Sequence, residues 1–182
     1  MRITGGQWRG RNLFAPRGLA TRPTTDMLRQ ALFNILGTRV TGAAWLDLCA
    51  GTGAVALEAL SRGAASATAV ENARPALVAL EKNRAATGAN IEIMPLEMGR
   101  ALRTLEMHGA RYDFVYLDPP YELSVDAWLA ALPPLLNERA TVIVERAARG
   151  PLPLAPWGEP EVRAYGDSRL ALWREIPAGR SE

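Results

Sequence analysis

The chain has 182 residues, is 48% apolar, and carries 21 basic and 19 acidic side chains for a formal net charge of +2. That length suits one α/β domain with a substantial core, and no run approaches the roughly 18 apolar residues of a membrane helix. Cys49 is the one cysteine and His108 the one histidine, which excludes an intrachain disulfide and argues against cysteine- or histidine-based metal sites.

The N-terminus has no apolar segment of the signal-peptide kind, which predicts a cytoplasmic protein. Residues 1–25 hold Arg2, Arg9, Arg11, Arg17 and Arg22 and no acid, so they carry +5 while the remaining residues sum to −3. A basic arm on a near-neutral body suggests a polyanionic partner met at one end, although a solvated basic hairpin has the same composition. Residues 2–15 read as two short strands around glycine-rich turns. Trp8 lies among basic residues, a pairing that can stack on bases while arginine neutralises phosphate. After a loop from Arg17 to Pro23, Thr24, Thr25 and Asp26 offer caps for a helix over 26–36. Its apolar stripe is Leu28, Ala31, Leu32, Ile35 and Leu36, and Gly37 stops it.

From residue 44 strands and helices alternate. Strands are predicted at 44–49, 67–70, 91–94, 112–117 and 140–145, and helices at 53–62, 75–88, 98–107 and 125–136. His108, beside Gly109, reads as a capping or surface residue. A proline-rich loop over 150–160 breaks the pattern, and 162–165 with 170–175 read as an antiparallel hairpin. Repeated βα units imply a doubly wound, mostly parallel sheet. Seven strands in all follow, with an N-terminal hairpin and helix over 1–37 as an extension of a domain over 38–182.

Three strand ends carry chemistry. Asp47-Leu48-Cys49-Ala50-Gly51-Thr52-Gly53 leaves the first strand and enters a helix, and Gly51 and Gly53 permit a tight turn and close ligand approach. Glu71 ends the second strand 18 residues after Gly53, where an acid can accept both hydroxyls of a ribose. Asp118-Pro119-Pro120-Tyr121 ends the fourth. Proline fixes its own φ and holds the preceding residue extended. Asp118 therefore presents a carboxylate, with carbonyl oxygens and an aromatic ring beside it, to a planar group bearing an NH2. In a parallel sheet these ends share one edge, where ligands bind. The turn and acid fit two kinds of nucleotide cofactor. A dinucleotide needs the helix N-terminus for its pyrophosphate. S-adenosylmethionine instead brings an amino-acid tail, whose ammonium Asp47 suits directly or through water. Cys49 reads as small packing, because no base is paired with it.

Asp47–Gly53, Glu71 and Asp118–Tyr121 resemble the motifs of Rossmann-type S-adenosylmethionine-dependent methyltransferases acting on exocyclic amines. Met1–Gly6, Arg9–Arg11, Thr21–Thr24, Leu32–Leu36, Glu58–Ala64 and Tyr165–Asp167 narrow the resemblance to the RsmD-type small-subunit ribosomal RNA guanine-N2 methyltransferases. The resemblance implies cofactor contacts at Asp47, Ala50, Gly51, Thr52, Gly53, Glu71, Asn72, Glu97, Met98 and Asp118. It implies catalysis at Asp118, Pro119, Pro120 and Tyr121, and RNA contacts at Arg2, Trp8, Arg9, Arg11 and Arg22. The implied substrate is guanine 966 of the 16S RNA, free or within an assembled or assembling particle, and no metal is implied. Glu97 stands where the family usually has an aspartate beside the adenine. Two other readings fit part of the sequence: an adenine-N6 methyltransferase, for which the same acceptors serve, and a non-catalytic nucleotide-binding RNA module, which leaves Asp118–Tyr121 unexplained.

Overall fold

The structure is a computed structural model that describes residues 1–16, 26–120 and 122–178. Helix α1 (Asp26–Leu36) precedes the alternating units β1 (Ala44–Asp47), α2 (Ala54–Ser61), β2 (Ser66–Val70), α3 (Arg74–Thr87), β3 (Ile91–Met94), α4 (Met98–Met107), β4 (Tyr112–Leu117), α5 (Asp126–Ala130) and β5 (Leu136–Ala147). The hairpin β6 (Glu161–Tyr165) and β7 (Ser168–Ile176) completes a seven-stranded sheet of order β3-β2-β1-β4-β5-β7-β6. The first five strands run parallel, and β7 is antiparallel to both β5 and β6.

Alternation along the strands divides the core. Trp45, Phe114 and Ile143 face one layer with α1, α2 and Leu80 of α3. Leu46, Val115, Val142 and Val144 face the other with α4 and α5. Trp45 stacks between Phe33 and Phe114, with 5.4 Å between centroids on each side. Ile3 and Leu13 belong to the same layer as α1 and α2, so the N-terminal residues share the core of the sheet.

Two expectations are corrected. The helix expected over 125–136 is a single short helix ending at Ala130, followed by a 3-10 turn over Pro133–Leu135. Two adjacent prolines supply no N–H for α-helical bonds, so the chain tightens into the 3-10 turn although Leu132 itself keeps a right-handed helical backbone. Residues 136–139, which adjoin or overlap the end of that expected helix, begin β5 instead. The expected pair of N-terminal strands is a turn-rich loop with one antiparallel bridge, Arg2 to Asn12. The Gln7 and Trp8 N–H groups donate to Ser61 of α2, which removes them from a ladder.

Register brings the three chemical strand ends level. Asp47 pairs with Ala69 on one side and Tyr116 on the other. Glu71 and Asp118 each follow two residues later, beside the crevice where strand order reverses. His108 caps the end of α4 and is exposed. Among the described residues no helix is long and apolar enough to cross a membrane.

Candidate active site

A cavity of about 460 Å3 opens at this edge of the sheet. Its wall includes Asp47, Ala50, Gly51, Thr52, Glu71, Asn72, Glu97, Met98, Asp118, Pro119 and Pro120, drawn from the ends of separate strands. Tyr121 and Arg22 lie outside the described residues.

The turn after β1 is held by Glu71. Its Oε2 accepts the Gly51 N–H at 2.9 Å, and its Oε1 accepts the N–H groups of Asn72 and Ala73 at 2.8 and 2.7 Å. Gly51 has φ +54 and faces open space. Gly53, read from the sequence as a point of close ligand approach, is not in the cavity wall. It caps α2 at φ 78, and a Cβ there would stand 2.1 Å from Leu80 Cδ1. Its missing side chain makes room for Leu80 of α3.

Asp47 is 1% exposed, and its Oδ1 has no hydrogen-bond partner among the described residues. Burial pushes the carboxyl up to about 7, and the Glu71 charge adds to this, against backbone N–H groups of Cys49 and Ala56. An unsatisfied buried carboxylate oxygen in a cavity wall costs free energy until a donor reaches it. An ammonium is the donor that also answers its charge. Burial and the surrounding carboxylates raise the neighbouring Cys49 thiol, which keeps it protonated.

Glu97 is the N-cap of α4. Its Oε1 accepts from Gly99 N–H at 3.0 Å and its Oε2 from Arg100 N–H at 3.2 Å. The longer acid therefore closes a helix end while remaining exposed at the cavity rim. On the other rim, Tyr116 donates its buried hydroxyl to Glu145 Oε2 at 2.6 Å. The Arg146 guanidinium donates to the Leu123 carbonyl at 3.0 Å and, more weakly, to that of Pro120 at 3.4 Å. These bonds tie the Pro120 and Leu123 carbonyls to β5.

Several wall residues were not found by sequence reasoning: Met1, Ala15, Pro16, Leu96, Tyr116 and Trp128. Met1 reaches the site because its segment is anchored. Glu58, fully buried in α2, accepts from Thr4 N–H at 2.9 Å and Thr4 hydroxyl at 2.5 Å, and pairs with Arg62 at 2.9 Å and buried Arg29 at 3.6 Å. Arg29 also pairs with Asp26 at 2.7 Å and donates to the Arg2 carbonyl at 2.6 Å. A glutamate inside the otherwise apolar Ala-Val-Ala-Leu-Glu-Ala-Leu helix was the available signal, because a buried acid needs partners. Of the basic arm, Arg2, Arg9 and Arg11 are exposed, Arg11 also donating to the Ala86 carbonyl. Trp8 is half-buried and packs on the core.

The family model described as Conserved hypothetical protein 95 matches residues 1–174. The chain is similar to "Ribosomal RNA small subunit methyltransferase D" of Escherichia coli strain K12, 35% identical over 195 aligned positions that cover 100% of this chain and 93% of the relative. The solved Escherichia coli structure of yhhF is 36% identical, with a TM-score of 0.83 over 97% of this chain and 98% of that one. A Thermus thermophilus 16S rRNA N2 methyltransferase, RsmC, solved with AdoMet and guanosine, shares the fold at 19% identity. Its TM-score is 0.68, over 88% of this chain and 45% of that one.

Proposed function

The chain belongs to the ribosomal RNA small subunit methyltransferase D family, the family described as Conserved hypothetical protein 95, and from that premise we propose that it transfers a methyl group from S-adenosylmethionine to the exocyclic N2 amine of a guanine in 16S RNA. Guanine 966 is the site we infer. The observation that carries the reading is one cavity joining the Asp47 carboxylate with its unpartnered oxygen, the Glu71-held turn and Asp118-Pro119-Pro120.

The cavity suits the cofactor. Asp47 would meet the ammonium of its amino-acid tail. Glu71, with one carboxylate oxygen making a single backbone bond, would accept from the ribose. Ala50, Gly51, Thr52 and Asn72 would line its path, and Glu97 and Met98 would flank the adenine. When bound, the cofactor supplies an electrophilic methyl carbon on a sulfonium.

The chain's own residues act on the amine. A guanine N2 lone pair is delocalised into the ring, which makes it a poor nucleophile. The Asp118 carboxylate and the Pro119 carbonyl accept its two hydrogens and turn the lone pair out of the ring plane. Pro120 keeps these acceptors rigid, and Tyr121 stacks on the base once it is turned out of its helix. No strong base is required before attack, because the nitrogen proton becomes acidic on methylation, and Asp118 then takes it. Residues 1–37 form an RNA-facing extension of the methyltransferase domain over 38–182, with Arg2, Trp8, Arg9, Arg11 and Arg22 contacting the RNA. The protein works in the cytoplasm, where small-subunit particles assemble.

Labelled S-adenosylmethionine offered with naked 16S RNA and with small-subunit particles tests the reading. Transfer to the RNA of either substrate is expected. Label in neither RNA would overturn it, and the better substrate identifies the form recognised.

A further inference from the structure

Phe14 is 45% exposed, yet its backbone is held on both sides of its Cα. Its N–H donates to Asn83 Oδ1 at 2.7 Å, and its carbonyl accepts from Asn83 Nδ2 at 3.0 Å. Asn83 is 1% exposed and also donates to the Thr52 carbonyl at 2.9 Å, so one side chain ties Phe14 to the glycine turn of the cavity. Ala15 and Pro16, the next two residues, line that cavity.

The surroundings of the ring are cationic. Lys82, the only lysine in the sequence, holds its ammonium 4.3 Å from the ring centroid. The adjacent acid, Glu81, is paired with Arg84 at 2.7 Å. Arg11 lies against the same helix through the Ala86 carbonyl. A lone exposed aromatic is ordinary. A rigidly presented one, under an ammonium and next to a catalytic cavity, has the make-up of a stacking platform, with π-surface for a base and cations for the phosphate beside it.

We propose that Phe14 stacks on a nucleotide flanking the modified guanine, and that Lys82 contacts that nucleotide's phosphate. The inference rests on the reading of RNA as substrate, and extends the RNA path from the basic arm across α3 to the cavity mouth.

The test uses the full chain and an RNA fragment containing the target site, titrated over a range of salt, with cofactor affinity measured by calorimetry. Phe14→Ala is expected to weaken RNA binding roughly 5- to 150-fold with an unchanged salt slope, the range for removing one stacked base. Phe14→Tyr should restore binding. Lys82→Ala should reduce the salt slope by about 0.7–0.9. Cofactor affinity should stay at the wild-type value in all three. Wild-type RNA affinity in both Phe14→Ala and Lys82→Ala would overturn the proposal while leaving the RNA reading intact. So would a parallel loss of cofactor affinity in Phe14→Ala, which would make the residue a support for the cavity. Failure of the wild-type protein to methylate RNA would instead remove the premise.

Discussion

A carboxyl that titrates near neutrality makes Asp47 the most condition-sensitive residue of the cavity. Its value is raised to about 7, chiefly by burial. A group raised in the folded state contributes stability that is complete below its ordinary carboxylate value and is lost as pH climbs through about 7. The free protein should therefore lose stability as pH rises from the ordinary carboxylate range through neutrality, and Asp47→Asn should flatten that decline in denaturant melts. Cofactor affinity should move the other way. An ammonium binds the carboxylate form, so binding should strengthen as pH rises through about 7, with proton release. In Asp47→Asn it should weaken by about 1.5–3 kcal/mol, the worth of a hydrogen bond to a charged group. Calorimetry in buffers of different ionisation enthalpy reads both quantities, and pH-independent binding by the wild-type protein would assign the ammonium to another residue. Asp118 acts at the opposite rim. Asp118→Ala should lower the methyl-transfer rate by about 10²-fold or more and cofactor affinity much less, the pattern expected when a group that touches the reacting amine is removed. Equal losses in both would make it chiefly a support for the cavity or the fold.

The glycine turn and the buried ion cluster act as elements rather than as single residues. Gly51 and Gly53 both have positive φ, but only Gly53 has a neighbour where a Cβ would go. Gly51→Ala should cost about 1–2 kcal/mol for the left-handed conformation alone. Gly53→Ala should cost that plus the displacement of Leu80, and urea melts should rank the two in that order. The N-terminal loop is held to α1 and α2 by Glu58, Arg29, Arg62 and Thr4. Glu58→Gln takes one of two carboxylates from buried Arg29, which keeps Asp26, and should destabilise by about 1–3 kcal/mol. It should also release residues 1–14 first, seen as early amide exchange there. Uniform loss of protection would show that the cluster supports the whole layer.

Across the whole molecule, the parallel sheet was legible because its β-branched and aromatic runs end in punctuation: Asp47, Glu71 and the Asp118-Pro119-Pro120 corner. Parallel topology then puts those ends on one edge, and register does so here by two residues on each side of Asp47. The remainder was hidden for physical reasons. Apolar spacing from 125 to 136 imitates a helix, and only the twin prolines decide against it. The packing demand on Gly53 shows only once Leu80, in another helix, is seen beside it. Met1 and Pro16 join the cavity through the anchoring of their segment by Glu58 and Asn83, partners far away in sequence that no local pattern encodes. The proposed RNA path across the basic arm has its own test. Changing Arg9 and Arg11 together to Ala should weaken RNA binding and lower its salt slope by about 0.7–0.9 for each phosphate no longer neutralised. Cofactor affinity should be untouched, and RNA binding indifferent to the double change would make the arm a solvated surface.

The most direct measurement is nucleoside mass analysis of 16S RNA after incubation with labelled S-adenosylmethionine, for the wild-type protein and Asp118→Ala side by side. Label on guanine N2 at a single position is expected from the wild-type protein, and at least about 10²-fold less from Asp118→Ala at equal cofactor occupancy. Label on adenine, or an Asp118→Ala protein as fast as wild type, would contradict a guanine amine held by Asp118 and Pro119.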